Sequence, residues 1–170
     1  MSFQLSPDNY LTLIQTNIYD KCGLHVSDFK KEDESKEYGA CRFKLNGFKI
    51  VSRKAKVTPK KMGQFVTFWK RKLNGIIEPL DEFDPIDFYT ITVNANTQFG
   101  QFVFPKPILI KKGIISTDKK EGKRGFRVYP TWDKTESNQA KKTQNWQLNY
   151  FYKIDDKIDF AKVIELYSQN

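Results

Sequence analysis

An aspartate and a lysine on two neighbouring predicted strands carry the most specific chemical signal in this sequence. The segment Pro85–Lys106 contains two short strands separated by a polar turn. Asp87 opens the first strand and Lys106 closes the second, and consecutive strands of this length usually pair side by side. Cleavage of a phosphodiester with Mg²⁺ needs oxygen ligands for the metal and a lysine that steadies the attacking water or the developing charge. The two residues therefore outline part of a metal-dependent phosphodiester site.

The other groups that such a site needs are less clear. Glu37 supplies a third group if the fold brings it near the strand pair. A metal-binding acid is expected two residues before Lys106, but Phe104 occupies that position. Two interpretations stay open. In one, Glu37, Asp87 and Lys106 are catalytic, with Asp87 as a ligand of Mg²⁺ or Mn²⁺. In the other, Asp87 only enters a strand or pairs with a nearby arginine.

Positive and negative charges are separated along the chain. The net charge is +9, which permits a polyanionic partner. Residues 38–77 contain eleven Lys and Arg and no acid, whereas residues 73–105 contain no Lys or Arg. Five acids open the second of these segments, namely Glu78, Asp81, Glu82, Asp84 and Asp87. Because a plain solvated surface usually mixes the two signs, this separation favours a dedicated basic surface.

Aromatic residues lie among two basic segments of the chain. Lysine and arginine neutralise phosphates, and aromatic rings stack on unpaired bases. Arg124 and Arg127 are three residues apart in a predicted strand and so point to opposite faces, which favours Arg127 as the anchor. The alternative is an ordinary lysine-rich surface. The residues that we expect to contact nucleic acid are Lys54, Lys56, Lys60, Lys61, Lys123, Arg124, Arg127, Tyr129 and Trp132.

Length and composition exclude several classes of protein. The 170 residues suit a single domain, 1–170, with a real core, and 39% hydrophobic residues exclude a disordered chain. Two cysteines and one histidine argue against a disulfide framework, a cysteine-based zinc site and a histidine triad. The sequence has no apolar run long enough to span a membrane and no signal peptide, so we expect a cytoplasmic protein.

Hydrophobic periodicity predicts an α/β (α+β) fold, with a mixed sheet and helices packed on it. A helix starts at Ser6–Asp8 and stops at Gly23, and a second covers residues 107–113. A third runs from its cap, Asn138, to about Tyr150, and a last one starts at Asp159. Strands are predicted over 37–45, 48–55, 63–70, twice within 85–106, and over 125–129, with Asn46-Gly47 as a hairpin turn. Charged residues 30–36 and the acidic segment 79–85 are predicted loops.

Short motifs along the chain resemble the MepB family. The similarity extends from about Glu34 to Phe151. It rests on Glu34–Tyr38, Leu45–Gly47, Ala55–Lys60, Gly63–Val66, Trp69–Arg71, Gly100–Lys106, Gly122–Arg124, Arg127–Pro130, and Gln139-Ala140 with Thr143-Gln144 and Trp146-Gln147.

The resemblance implies a fold similar to the PD-(D/E)xK endonuclease-like class, and with it DNA binding. In the pattern of that class Asp87 matches the aspartate and Lys106 the lysine, while Phe104 departs from the acid. That departure puts metal binding and cleavage in doubt, but not the fold. The family is named for a gene beside a multidrug efflux pump, which implies a link to such an operon.

Three functions follow as hypotheses. The first is a DNA-binding protein with an endonuclease-like fold and a degenerate active site, in which phosphate contacts give weak sequence preference. The second is an active nuclease dependent on Mg²⁺ or Mn²⁺. The third is a non-catalytic accessory protein whose basic surface meets an acidic protein partner, with residues 116–122 as an interaction loop.

Overall fold

A six-stranded mixed sheet forms the centre of the fold. The structure is a computed structural model that describes residues 6 and 8–168. The strand order is β1-β2-β3-β8-β9-β11, and every neighbouring pair is antiparallel except β3 and β8. The six strands are β1 (Val26–Lys31), β2 (Cys41–Leu45), β3 (Phe48–Lys54), β8 (Phe88–Ala95), β9 (Gln98–Pro105) and β11 (Phe151–Lys153).

Two smaller sheets and four α-helices complete the described part of the chain. One small sheet has the order β10-β5-β4 and the other pairs β6 with β7. Their strands are β4 (Lys56–Val57), β5 (Gln64–Thr67), β6 (Trp69–Arg71), β7 (Ile77–Pro79) and β10 (Gly125–Val128). The helices are α1 (Tyr10–Ile14), α2 (Lys106–Lys111), α3 (Asn138–Gln147) and α4 (Phe160–Leu166). A π-helical turn (Gln15–Tyr19) and a 3₁₀ turn (Asp20–Cys22) prolong α1.

Both faces of the large sheet are covered, because successive strand residues point to opposite sides. On β3, Val51 belongs to the core under the small β10-β5-β4 sheet, whereas Ile50 belongs to the core under α1 and α4. The strands at the centre therefore have buried side chains on both faces. The structure confirms the predicted mixed α+β fold with a sheet flanked by helices.

A buried polar network fixes the helix-covered face. The Gln101 side-chain oxygen accepts hydrogen bonds from the hydroxyls of Tyr152 (2.6 Å) and Tyr167 (3.0 Å). The Tyr167 hydroxyl also lies 2.7 Å from that of Tyr19. Because buried polar groups are costly when unpaired, this network sets the position of the last helix and of the π-helical turn against the sheet.

A buried ion pair ties the end of β1 to β2 and β3. The Glu32 carboxylate accepts a hydrogen bond from Arg53 Nη2 at 2.6 Å and another from Arg42 Nε. The Arg53 side chain is only 1% exposed and that of Glu32 18% exposed. The acid therefore compensates a charge that is otherwise costly to bury.

Several sequence-based predictions are confirmed. Strands β8 and β9 pair from Phe88 opposite Pro105 to Ala95 opposite Gln98, within the predicted segment 85–106. Asn46 and Gly47 join β2 to β3 with φ values of 49° and 86°. The predicted helix over 107–113 is α2, and Gly113 follows it with φ 70°.

The predicted third strand over 63–70 is wrong, because it is two strands in different sheets. Strand β5 ends at Thr67, and the Phe68 amide then bonds to the Arg124 carbonyl at 2.8 Å. The Phe68 ring is fully buried, with its centroid 4.1 Å from that of Tyr89. Burial of this ring turns the chain, so that β6 starts at Trp69 beside β7.

The predicted element ends are corrected at five places. The strand predicted over 37–45 begins only at Cys41, because residues 36–38 form a 3₁₀ turn. Residues 30 and 31 belong to β1 and not to a loop, because β1 pairs with β2 although most of it is exposed. The acidic segment 79–85 begins in strand β7, whose last residue is 79. The first helix begins at Tyr10 instead of Ser6–Asp8, and Pro7 lies outside the described residues. Ser137, not Asn138, caps α3 by accepting the Ala140 amide at 3.1 Å.

We predict that Glu32→Ala destabilises the protein by about 3–5 kcal/mol, because it leaves the Arg53 charge buried without its partner. Urea unfolding measures the change in the free energy of unfolding. The control Lys44→Met removes the ion pair with Asp28, whose two side chains are 45% and 68% exposed. It should cost at most about 1 kcal/mol. Equal losses for the two variants would contradict the prediction.

Candidate nucleic-acid interface

The backbones of Asp87 and Lys106 are neighbours, but both side chains bind main-chain groups. The Lys106 amide donates to the Asp87 carbonyl at 3.0 Å. The Asp87 carboxylate accepts the Lys49 amide at 2.7 Å, and the Lys106 ammonium donates to the Asp84 carbonyl at 2.8 Å. These contacts brace the start of β8 and the loop before it. The predicted strand pair thus brings the backbones of Asp87 and Lys106 together. Their side chains, however, make structural contacts with main-chain groups.

Glu37 lies toward the other end of the sheet from Asp87. It is exposed in a 3₁₀ turn (Lys36–Tyr38) that leads into β2, where Cys41 pairs with Ser52. Asp87 instead sits beside Lys49, at the start of β3. From residue 49 to residue 52 a strand advances about 10 Å, at about 3.3 Å per residue, and Glu37 lies before the strand residue that pairs with residue 52. The fold therefore does not bring Glu37 together with Asp87 and Lys106.

Phe104 occupies the position where a metal-binding acid was expected, and its ring is part of the core. It is fully buried, with its centroid 5.4 Å from Phe102 and 5.3 Å from Trp146. An acid there would be desolvated among aromatic rings. Within residues 8–168, no three Asp, Glu, His or Cys side chains are grouped so that they could hold a metal ion. The residues around Asp87 thus do not fit Mg²⁺ or Mn²⁺.

Much of the acidic segment surrounds a lysine. The Lys70 ammonium lies 2.8 Å from carboxylate oxygens of Asp81 and of Asp84 and 3.6 Å from Glu78. Burial alone would lower the pKa of Lys70, but the hydrogen bonds to Asp81 and Asp84 outweigh it and raise that pKa above its usual range. The bond from Lys70 lowers the pKa of Asp81. Acidic and basic residues that are separated along the chain are therefore paired with each other here in the folded structure.

The lysines from Lys54 to Lys61 lie where the chain leaves the large sheet and enters the small one. The turning point is Ala55, which is 1% exposed and whose amide donates to the Thr92 carbonyl at 2.9 Å. Lys54 ends β3 and Lys56 begins β4. Lys60 and Lys61 are exposed in the loop 58–63 between β4 and β5, which we call the clamped loop.

Arg127 holds the clamped loop. One terminal nitrogen of its guanidinium donates to Thr58 Oγ1 at 2.7 Å. The other lies 3.3 Å from the Met62 carbonyl and 3.4 Å from that of Gly63. The guanidinium thus donates to three acceptors of its own chain. Arg127 positions the loop, a role that its charge alone did not reveal.

A second contact fixes the end of this loop. Gly63 has φ 84°, and a Cβ there would lie 2.7 Å from the Tyr129 ring. Glycine is required both by the left-handed backbone and by the close ring. The Tyr129 amide in turn donates to the Gln147 side-chain oxygen at 2.9 Å. The loop therefore rests on β10 and, through Gln147, on α3.

The outer face of the small sheet carries Lys56. Its ammonium lies 4.7 Å from the centroid of the Tyr38 ring, which meets the Phe65 ring edge-on. Partial burial, and then the neighbouring Lys56 charge, lower the pKa of Lys54. The Lys56 charge is thus held close enough to disfavour the charged form of Lys54. A bound anion would relieve that repulsion.

The other predicted contacts are less well placed for nucleic acid. Lys123 and Arg124 precede β10 at the Gly125–Thr67 end, whereas the clamped loop lies at the Val128–Gln64 end. The Arg124 guanidinium is 3.1 Å from Glu121. The Tyr129 ring packs on Gly63, and Trp132 packs into the core, with its ring centroid 6.0 Å from that of Phe151. These two rings are therefore not free stacking surfaces.

Three comparisons place this chain among known proteins. A family model described as MepB-like matches residues 32–153. The crystal structure of MepB superposes with a TM-score of 0.75 at 36% sequence identity, covering 78% of this chain and 89% of that one. A bacterial homing endonuclease, I-Ssp6803I, gives a TM-score of 0.41 at 16% identity over 75% of this chain and 80% of its own. That similarity is too weak to support a conclusion about this chain. No curated protein matches.

We predict that Lys70→Met lowers stability most between about pH 5 and pH 9. The lowered pKa of Asp81 means that its contribution is present above the unfolded pKa near 4 and is lost as pH falls through the folded value. The raised pKa of Lys70 means that its contribution is present below the unfolded pKa near 10.4 and is lost as pH rises through the folded value. Thermal unfolding of the wild type and of Lys70→Met at a series of pH values measures the difference in their stability.

The matched control for Lys70 is Lys72→Met, which removes a more exposed partner of Glu78 at 3.1 Å. This control should change stability less than Lys70→Met at neutral pH. A difference between wild type and Lys70→Met that stays constant down to pH 3 would contradict the prediction.

Proposed function

The chain belongs to the MepB-like family, and from its charge distribution we propose that it binds nucleic acid, with duplex DNA as the partner. The surface that meets the DNA is the basic face formed by Lys54, Lys56 and the clamped loop. The interaction is with phosphates, and so it carries weak sequence preference.

The observation that carries this proposal is uncompensated positive charge. Among the described residues, Lys54, Lys56, Lys60 and Lys61 have no carboxylate within 4.0 Å. Some other cations are paired with acids, as at Arg42, Lys44, Arg53, Lys70, Arg71, Lys72 and Arg124. This group is distinguished by having four such lysines within residues 54–61 of the chain. Unpaired charges on one face self-repel, and a polyanion with its released counterions offsets that cost.

The fixed position of the clamped loop also supports DNA binding by this face. The Arg127 clamp holds Lys60 and Lys61 on a loop that is ordered before any partner arrives, so that less entropy is lost on binding. The Lys54–Lys56 pair lies at the base of the same loop, and a phosphate there would favour the charged form of Lys54. Lys123 and Arg124 lie at the far end of the small sheet and contribute less.

We further infer that the Asp87–Lys106 site is degenerate. The contacts of both side chains with main-chain groups and the buried Phe104 support this inference. The metal-dependent nuclease therefore has no specific observation in its favour. DNA as partner implies a cytoplasmic protein, and the link to a multidrug efflux operon stays a prediction. Within the described residues no helix has the length and apolar character to cross a membrane.

We predict that Lys60→Gln combined with Lys61→Gln weakens binding to duplex DNA of any sequence. Each lost phosphate contact should lower the slope of log K against log salt by about 1, so the double variant should lose about 2. Mobility shifts at several salt concentrations measure both affinity and slope. The matched control is Lys119→Gln with Lys120→Gln, two exposed lysines in a loop beside Glu78, Asp81 and Glu121.

Equal behaviour of the two double variants, or no mobility shift at low salt, would contradict the proposal. Arg127→Lys separates charge from geometry, because it keeps the charge but loses the planar fork that reaches Thr58 and Met62. It should weaken binding as the loop loosens. Protein partners that are retained after nuclease treatment, without any mobility shift, would favour the acidic-protein alternative.

A further inference from the structure

A cleft of about 560 Å³ lies on the helix-covered side of the large sheet, away from the basic face. Three segments form it: the first helical segment, the turn joining β8 to β9, and residues 154–160. Its volume falls in the range of small-molecule sites, about 300–1,000 Å³. The predictions from sequence did not include it, because its residues come from three distant parts of the chain.

The cleft coincides with two unusual stretches of backbone. Asn17 lies in the π-helical turn Gln15–Tyr19, and such turns are rare and occur often at functional sites. Its amide nitrogen donates to the Leu13 carbonyl at 2.9 Å, which orients the side chain and leaves its oxygen as an acceptor. In the turn that joins β8 to β9, Asn96 has φ 55°, a left-handed conformation that few residues other than glycine and asparagine adopt.

Carboxamide groups line the cleft without forming hydrogen bonds to one another. Within residues 8–168, the side chains of Asn94, Asn96 and Gln98 make no hydrogen bond with the protein, although Asn94 and Gln98 are half-buried. Each carboxamide offers a donor and an acceptor side by side. Partly buried groups of this kind are satisfied best by a ligand that presents the complementary pair.

The charges and the aromatic rings of the cleft restrict the class of ligand further. The cleft has one lysine, Lys21, against Asp155 and Asp156, so its charge does not favour a phosphate. Phe99 and Phe160 supply half-buried ring surface. An uncharged flat ring with donors and acceptors on its edge meets both conditions. Nucleobases have this character, and Asn or Gln pairs in a bidentate manner with adenine.

The position of the cleft connects it to the basic face. The Gln64 side chain donates to the Asn94 carbonyl at 3.2 Å, and Gln64 pairs with Val57 where the clamped loop begins. The cleft and the loop thus lie on opposite faces of the same end of β8. We propose that the cleft binds an unpaired nucleobase. The choice of a base over another neutral polar ligand rests on the proposed function, since the cleft and the basic face lie at the same end of the sheet, where a base displaced from a bound nucleic acid would be nearby.

The test uses free nucleosides and ¹⁵N-labelled full-length protein. Adenosine, cytidine, guanosine and thymidine are titrated in turn, with glucose as the comparator. We expect saturable shifts in the side-chain amide signals of Asn94, Asn96 and Gln98 with at least one nucleoside. Gln98→Leu should weaken that binding about tenfold or more. Thr12→Val, on the same helix as Leu13 but outside the cleft lining, should leave it unchanged.

The outcomes are distinct from those of the DNA-binding test. Nucleoside shifts confined to the cleft support the proposal, whether or not duplex DNA gives a mobility shift. If no nucleoside shifts these signals at millimolar concentration, the proposal fails even where the mobility shift is normal. Shifts with glucose alone would overturn the assignment of the ligand class. Because the shift map is measured on the wild-type protein, a Gln98 variant that does not fold leaves the test intact.

Discussion

The Arg127 guanidinium fixes the loop between β4 and β5 to the strand beside it. Its bonds to Thr58, Met62 and Gly63 join a six-residue connection to β10. A loop of this length with two exposed lysines would otherwise lose conformational entropy on binding. The arginine therefore determines whether the positive charges of Lys60 and Lys61 form a surface or only a mobile segment. The small sheet in turn rests on one face of the large one.

Charge is arranged in space differently from its order along the chain. Acids and bases that are separated in sequence meet at Lys70, where one ammonium serves the carboxylates of Asp81 and Asp84. Glu32 compensates the buried Arg53 in the same way. Four lysines without a carboxylate within 4.0 Å among the described residues lie close together in sequence, at residues 54–61. This excess is a local property of one face, and the net charge of +9 is a poor guide to it.

The large sheet was predictable where the sequence has clear alternation and turn chemistry. Strands β8 and β9 and the Asn46-Gly47 turn follow from these signals. Strand β1 was missed because five of its six residues are exposed, so that no apolar stripe marks it. The break at Phe68 depends on burial of one ring against Tyr89, a contact between distant residues. The residues near Phe68 in the sequence carry no signal for such a contact.

The candidate site was only partly predictable for the same physical reason. Sequence gives the charge of Arg127 but not that its donors face its own main chain. It gives Asp87 and Lys106 as neighbours, yet not the backbone groups that their side chains bind. The separation of Glu37 from Asp87 depends on the register of β2 and β3. The carboxamide cleft joins three segments, and no motif connects them.

Lysine reactivity in the presence of duplex DNA tests the central claim most directly. Amine-specific labelling followed by mass spectrometry compares the accessibility of each lysine with and without DNA. The account predicts protection at Lys56, Lys60 and Lys61, with Lys119 and Lys120 unchanged. Unaltered labelling of these three lysines at a DNA concentration that gives a complete mobility shift would contradict it, as would protection only at Lys119 and Lys120.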